Sequence, residues 1–365
     1  MKKRLLLLGG GHAHLHVLKS LTERYLPEAE VTLVSTFPQQ VYSGMLPGWI
    51  AGHYQLEQCT VPLRPLAERA DVAFIEKSAR RIDFSTRTVI CDDGSAVPFD
   101  TVSIDTGPVA DLSMISGAAE HAVSVRPIEA FIDAVAAIKA SVESGRTRRI
   151  VFVGAGAGGI ELALALQHAL AAHAVGITLI SASDTLPAGA AVRLARILRT
   201  RGISILAGQV VARIGANEVH LQSGTVVEAD HIIVATGASA AAWPKASGLA
   251  CDERGFILVN EHLQSVSHPD VFAAGDCASM KDHPRPKSGV YAVRAGPVLA
   301  HNLRAFCEGR ALKAWTPQTH ALYLISTGDR FALATWGAWS WSGGWVWRWK
   351  DRIDRRFMRR FGAPG

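Results

Sequence analysis

One pattern occurs twice in this chain, and it limits the fold more than any other feature. Residues 4–8 form an apolar strand, and three glycines follow it. "AHLHVLKSLTERY" then continues with helical apolar spacing, and "AEVTLVS" reads as a second strand. At 149–181 the order recurs as "RIVFVG", "AGAGGIELALALQHAL" and "GITLIS", with Gly154, Gly156 and Gly159 in complete GxGxxG register. Strand, glycine turn, helix and strand in that order open a dinucleotide-binding unit. The glycines let the turn close and let backbone approach a pyrophosphate at the helix N-terminus. The repeat continues downstream, where 79–107 parallels 211–237. Each is a short meander, an acidic residue and an apolar strand ending in Thr-Gly, at Thr106-Gly107 and Thr236-Gly237. So long a repeat implies two related units rather than a solenoid. The expected fold class is α/β, with two Rossmann-like dinucleotide-binding domains and a short C-terminal β/helical segment.

Composition narrows the setting. At 365 residues and 48% hydrophobic, the chain suits two or three modest domains. The five cysteines (Cys59, Cys91, Cys251, Cys277, Cys307) form no close pair, so neither a disulfide framework nor a zinc ribbon is supported. "MKKRLLLL" imitates a leader, but its apolar run stops at the glycines, too short for a signal h-region. No apolar run approaches the roughly 18 residues of a membrane span. The chain reads as cytoplasmic. Its net charge of +6 is concentrated, because 345–365 carries seven basic and two acidic residues, or +5. A nucleic-acid binder would spread basic groups over a face of the fold, so nucleic acid is not an expected partner.

"HPDVFAAGDCA" at 268–278 ends another apolar strand in Gly275-Asp276. This brings a carboxylate to the C-terminal edge of a sheet, where it can accept from a ribityl or ribose hydroxyl. Together with the two glycine turns and the two Thr-Gly ends, this run resembles the two-dinucleotide-binding FAD/NAD(P) oxidoreductases of the pyridine nucleotide-disulfide oxidoreductase superfamily. Within it, the chain is similar to the type II NADH dehydrogenase-like proteins. "GGGHAHLHVL", "YSGMLPGWIAGHY" and "WRWKDRIDRRFMRRF" most resemble the FAD-dependent oxidoreductases found alone or fused to selenide, water dikinase.

That resemblance implies FAD as cofactor and NAD(P)H as co-substrate. Hydride passes to FAD, and electrons go on to a small-molecule acceptor or a quinone. A link to selenium or sulfur metabolism, with selenide, water dikinase as partner, is implied as well. The alternatives are a membrane-peripheral NADH:quinone oxidoreductase and a flavin-binding partner of the selenophosphate pathway without turnover. The implied division is an FAD domain in two segments, 1–125 and 256–310, an NAD(P) domain at 126–255, and a truncated C-terminal interface segment at 311–365.

Site residues follow from the matched motifs. Gly9, Gly11, His12 and Ala13 face the FAD pyrophosphate, with His14 where a third glycine is usual. His12 is placed either to reach a phosphate or to sit on the helix surface. Of His12, His14 and His16 only the first and last share a helical face, and no third ligand stands near, so no metal site is expected. Ser35 and Ser181 end the second strands where an acid usually binds a ribose, which makes Arg193 or Arg196 a candidate partner for a 2′-phosphate. Tyr42, Met45, Leu46 and Pro47 fall where the resembling proteins line the isoalloxazine ring. Thr106, Gly107, Gly275 and Asp276 complete the FAD site, and Gly154, Gly156, Gly159, Thr236 and Gly237 mark the NAD(P) site.

Three further readings concern chemistry. Glu161 matches the family glutamate near the nicotinamide, or is a helix acid favoured by the dipole. Val290, Arg294 and Ala295 align with the quinone-facing glutamines of the resembling type II NADH dehydrogenases, and Lys287 and Arg294 make this segment basic instead. They suit an anionic sulfur- or selenium-type acceptor, or neutralise flavin and phosphates. Cys59 alone lies near the flavin segment, which excludes disulfide-reductase chemistry, and Cys277 belongs to the "GDCA" helix start. In the tail, helical spacing puts Trp345, Trp349, Ile353 and Phe357 near one face with arginines around the rest. This is either an interfacial helix, peripheral on the inner face of the membrane, or a roof that packs its tryptophans over the flavin domain.

Overall fold

The computed structural model describes residues 2–184, 186, 190–337 and 339–362. Strand Lys3–Leu8 is the centre of the first sheet. Leu5 to Leu8 are all fully buried, as a parallel strand covered by helices on both faces requires. It pairs in parallel with Ala29–Ser35 on one side and Thr101–Ile104 on the other. Ala73–Glu76 and Val271–Ala273 form the edges. The second sheet repeats the plan around Arg149–Val153, with Gly176–Ile180 and His231–Val234 beside it and Ile203–Leu206 and Val123–Ser124 at the edges. Each unit carries its own antiparallel three-stranded meander. The chain is the α/β pair of dinucleotide-binding sheets that its repeat announces.

The crossings between units differ from the expected boundaries. Val123–Ser124 already pairs with His231–Val234, and Ala118 is buried with Ile214 and Val219 of the second meander. On the return, Leu249 and Trp243 pack into the first core, and the Ser247 hydroxyl accepts from the Ile82 N–H at 2.9 Å. The two crossing strands run side by side, with Val109 and Ser239 exchanging backbone hydrogen bonds of 2.9 and 3.0 Å. We therefore place the crossings near Val109 and Ser239 rather than at 125 and 255.

The C-terminal segment folds as an antiparallel sheet of Tyr323–Ser326, Ala332–Trp336 and Trp339–Gly343, followed by helix Gly344–Phe361. The helix lies against the 42–54 loop. Lys350 donates to the Gly44 carbonyl and pairs with Asp354 at 2.7 Å, and Asp354 also accepts from the Tyr42 hydroxyl at 3.1 Å. Phe357 stacks on Tyr42 with ring centroids 4.2 Å apart. The helix is thus a roof, but not one made of its tryptophans. Val346, Lys350, Asp354, Phe357 and Phe361 face inward, whereas Trp345, Trp349 and Ile353 are exposed. The expected stripe of Trp345, Trp349, Ile353 and Phe357 is corrected accordingly. Lys350 and Asp354, one turn apart, neutralise each other, so a face that reads as charged can be buried.

Candidate functional site

Both glycine turns need left-handed backbone at their first glycine. Gly9 has φ 88° and Gly154 has φ 114°, a region that costs other residues dearly. At Gly154 a Cβ would also collide with the Ala235 carbonyl, and at Gly159 with the Gly154 carbonyl. Around the first turn runs a groove of roughly 1140 Å³ of open space. One end is formed by Ser35, Phe37 and Lys77, and the other by Arg126 to Glu129, Asp276 and Lys287. Backbone N–H groups of Gly10 and His12 line it and have no hydrogen-bond partner among the described residues. Free donors at a helix N-terminus, with glycines that let a ligand approach, fit a pyrophosphate. The flavin dinucleotide's elongated shape fits a groove that runs on from the turn in both directions.

The predicted FAD residues Gly9, Gly11, His12, Ser35, Thr106, Gly107 and Asp276 all line this groove. Gly275 lies beside it with φ 71°, packed where a Cβ would strike the Asp105 carboxylate. Ala13 contributes its N–H, which donates to Asp105 Oδ2 at 2.8 Å. Ser35 donates to the Phe37 carbonyl at 3.0 Å, and Ser181 repeats the device with the Ser183 carbonyl at 2.9 Å. Both serines therefore shape the turn after the strand, a use that stands in place of the usual acid.

The three histidines diverge. The His14 Nδ1 lies 2.6 Å from the Gly9 carbonyl, so it carries the proton and donates. Nε2 then accepts from the Ser103 hydroxyl at 2.8 Å. Burial lowers its pKa to about 4, so the ring is neutral. His14 thus ties helix to sheet by hydrogen bonds where a glycine would do so by close contact. His16 packs edge-on to Phe361 at 4.7 Å and against Gly296, where a Cβ would meet its ring. His12 lies by the groove near Tyr42 and Phe357, its Nε2 buried without a partner.

At the groove's far end the structure departs from expectation. Met45, Leu46 and Pro47 are buried, with Met45 in the first unit's core and Leu46 in the second's, and Tyr42 is turned to Asp354. None of the four lines the groove, where Gln39, Gln40 and Ser43 stand instead. Apolar side chains in this loop gain more by packing between the units than by lining a polar groove. Lys287 does reach the groove, but its ammonium donates to the Ala278 carbonyl and lies 3.9 Å from the Phe256 ring centroid. Arg294 sits on the exposed face of helix Gly289–Cys307, away from the groove. The two cations therefore do not make a joint anion site. Sequence reasoning missed Arg126, which lines the groove 3.8 Å from Asp276. Burial raises the Asp276 carboxyl while Arg126 opposes it. A charged Arg126 and Glu129 inside "VRPIEAF", just after the edge strand Val123–Ser124, were the signal.

In the second unit the first-turn N–H groups of Ala157, Gly158 and Gly159 have no partner among the described residues, and Gly156 and Gly158 face open space. That turn fits a second pyrophosphate, beside the exposed Thr236 and Gly237. Glu161 is enclosed beneath the C-terminal segment, where its Oε1 accepts from the Ser326 N–H and hydroxyl, both at 2.8 Å. Burial raises its pKa against the pull of Lys350. Arg193 is held by the Ser340 carbonyl and hydroxyl, and Arg196 is exposed. All five cysteines are free, and burial pushes the thiols of Cys59 and Cys277 up to about 12. Neither is a ready thiolate.

Known proteins are similar to this chain in sequence and in fold. The family model described as pyridine nucleotide-disulphide oxidoreductase matches residues 3–296. Ferroptosis suppressor protein 1 of Homo sapiens is 26% identical over 262 residues, 68% of this chain and 67% of that protein. The nitric oxide reductase FlRd-NAD(+) reductase of Aeromonas hydrophila is 33% identical over 207 residues, 54% of this chain and 50% of that one. Among solved structures, the sulfide:quinone oxidoreductase of Aquifex aeolicus superposes with a TM-score of 0.81 at 20% identity, covering 100% of this chain and 93% of that one. NDH2 from Plasmodium falciparum in complex with NADH gives 0.80 at 13%, covering 100% and 99%.

Proposed function

The chain belongs to the pyridine nucleotide-disulphide oxidoreductase family, and on that premise we propose that it moves hydride from NAD(P)H on the second unit to FAD on the first, then passes electrons to a small-molecule acceptor. It is an FAD- and NAD(P)H-dependent oxidoreductase without a redox-active disulfide. Flavin supplies the redox chemistry, and the chain supplies position and electrostatics. The observation that carries the reading is the course of the groove. It starts at Ser35 and Lys77, beside the first sheet, and ends against Arg126 to Glu129, which follow the edge strand Val123–Ser124 of the second unit. A dinucleotide lying along it with its adenosine at the first end brings its reactive end to the boundary between the units. Anaerobic stopped-flow mixing with NADH and with NADPH tests this. The flavin's visible absorbance should bleach with at least one of them, and no bleaching with either would refute the proposal.

For the acceptor, the divergent placement of Lys287 and Arg294 removes the support for an anionic substrate. A quinone drawn from a membrane surface is favoured by a different observation. Trp336, Trp339 and Trp345 are 54%, 69% and 51% exposed, at a hairpin end and on the helix after it, and Arg348, Arg352 and Arg356 are exposed on the same helix. Large aromatic and basic side chains together suit an anionic lipid interface. Among the described residues no helix is long and apolar enough to cross a membrane, so contact of this kind is peripheral. The link to selenide, water dikinase rests on motif resemblance, and the site geometry adds nothing to it.

A further inference from the structure

Among the differences between the two units' turns, one adds a buried charge. Before the Thr-Gly end, the first unit has Asp105 where the second has Ala235. Their backbone N–H groups make equivalent bonds, to the Leu8 and Val153 carbonyls, each at 2.8 Å. In the second unit the three first-turn N–H groups have no partner among the described residues. In the first unit, Asp105 Oδ2 accepts from the Ala13 N–H at 2.8 Å and the His14 N–H at 3.0 Å, which leaves Gly10 and His12 for the groove. The carboxylate is wedged beneath the turn, 2% exposed, and it lines the groove. A Cβ on Gly11 or on Gly275 would collide with it.

Among the described residues no cation pairs with that carboxylate. The charged group nearest in effect is another acid, Asp276, whose own partner is Arg126 at 3.8 Å. Lys287 is committed to the Ala278 carbonyl, the Cys277 thiol stays protonated, and the His14 ring is neutral with both nitrogens used. Burial pushes the Asp105 carboxyl up to about 7, opposed by its two backbone donors. A pyrophosphate seated over this turn adds negative charge next to this buried carboxylate.

We propose that Asp105 is a positioning residue that enters the FAD-loaded state protonated, so that seating the pyrophosphate takes up one proton from solvent. The neutral acid still accepts the Ala13 and His14 N–H groups through Oδ2, and its own O–H becomes a donor. No covalent bond to the cofactor forms and nothing is oxidised or reduced, since the proton comes from water. The second unit, with Ala235, binds its dinucleotide without such coupling.

The inference rests on the FAD seat described above, and the test separates the two. FAD is titrated into flavin-stripped protein between pH 6 and 9, with binding read by quenching of flavin fluorescence. For the wild type, Kd should rise toward tenfold per pH unit above about 7. In Asp105→Asn, which keeps an acceptor oxygen without charge, Kd should stay flat. A flat wild-type profile, or the same slope in both proteins, overturns the role of Asp105. No FAD binding at any pH overturns the seat itself. If the variant does not fold, proton uptake by the wild type decides. An indicator dye in weak buffer at pH 8 should register close to one proton per FAD bound, and no uptake overturns the proposal.

Discussion

Lys350→Met is the most informative perturbation of the roof. The Lys350 ammonium touches the Gly44 carbonyl and Asp354 at 2.7 Å, and both side chains are nearly inaccessible to water. Removing it leaves Asp354 with the Tyr42 hydroxyl at 3.1 Å as its remaining partner. Breaking one side of a buried pair costs about 3–5 kcal/mol because the other charge is left uncompensated. For 365 residues, an unfolding entropy of about 2.1 cal/mol/K per residue gives ~0.8 kcal/mol/K, so Tm should fall about 4–6 °C. The loss should also depend on pH. Burial already raises the Asp354 carboxyl despite Lys350, and without the lysine it rises further. An acid whose folded pKa lies above its unfolded value, near 3.8, favours the fold below that value and disfavours it as pH climbs through the folded pKa. The deficit relative to wild type should therefore be larger at pH 8 than at pH 5. Thermal melts of both proteins at the two pH values check this. An equal deficit at both, or a change under about 1 °C, would refute the pairing as drawn. The double variant Lys350→Met with Asp354→Leu should recover much of the loss, since no buried charge remains.

Asp276→Ala should weaken FAD retention by about 1.5–3 kcal/mol, the worth of a charge-assisted hydrogen bond, seen as flavin lost on extensive dialysis. Gly156→Phe should abolish flavin reduction by NAD(P)H while leaving FAD bound. A Cβ at Gly156 meets nothing within 4 Å, so the side chain covers the second turn without disturbing the fold, and absorbance and stopped-flow traces report the two effects separately. On vesicles, the chain should sediment with anionic but not neutral lipid at low salt. Each basic residue near the surface contributes roughly 1 kcal/mol, screened as salt rises. Replacing Trp339 and Trp345 by serine should reduce the bound fraction, and equal recovery in the supernatant under every condition would remove the membrane reading.

The sequence shows its repeat plainly because glycine turns and continuous apolar strands are dictated locally. What it hides is set by packing between distant segments. Val123–Ser124 is a two-residue strand with no periodicity of its own, so the entry to the second unit reads too late. Met45 and Leu46 look like ring-lining residues, but only the assembled units show that each completes a core. Lys350 and Asp354 lie outside the stripe that helical spacing suggests, and only the assembled fold shows them as an inward pair 2.7 Å apart. Asp105 lies inside an otherwise apolar strand end, directly before Thr106-Gly107. Aligning "SIDTG" with "IVATG" would have marked it as a charge where the repeat needs a small apolar residue.

The paired crossings at Val109 and Ser239 bear on how the units move. Two strands bonded to each other resist twisting more than a single strand does, and leave bending across the pair as the soft direction. The C-terminal segment restrains that bend, because Asp329 is held by Arg201 and Ser340 by Arg193 of the second unit, while Lys350 holds Gly44 of the first. A pyridine nucleotide arriving at the Gly154–Gly159 turn therefore meets an angle between domains set during folding. Little rigid-body freedom is lost on capture. Association should accordingly remain proportional to nucleotide concentration, without the plateau that a slow closure imposes.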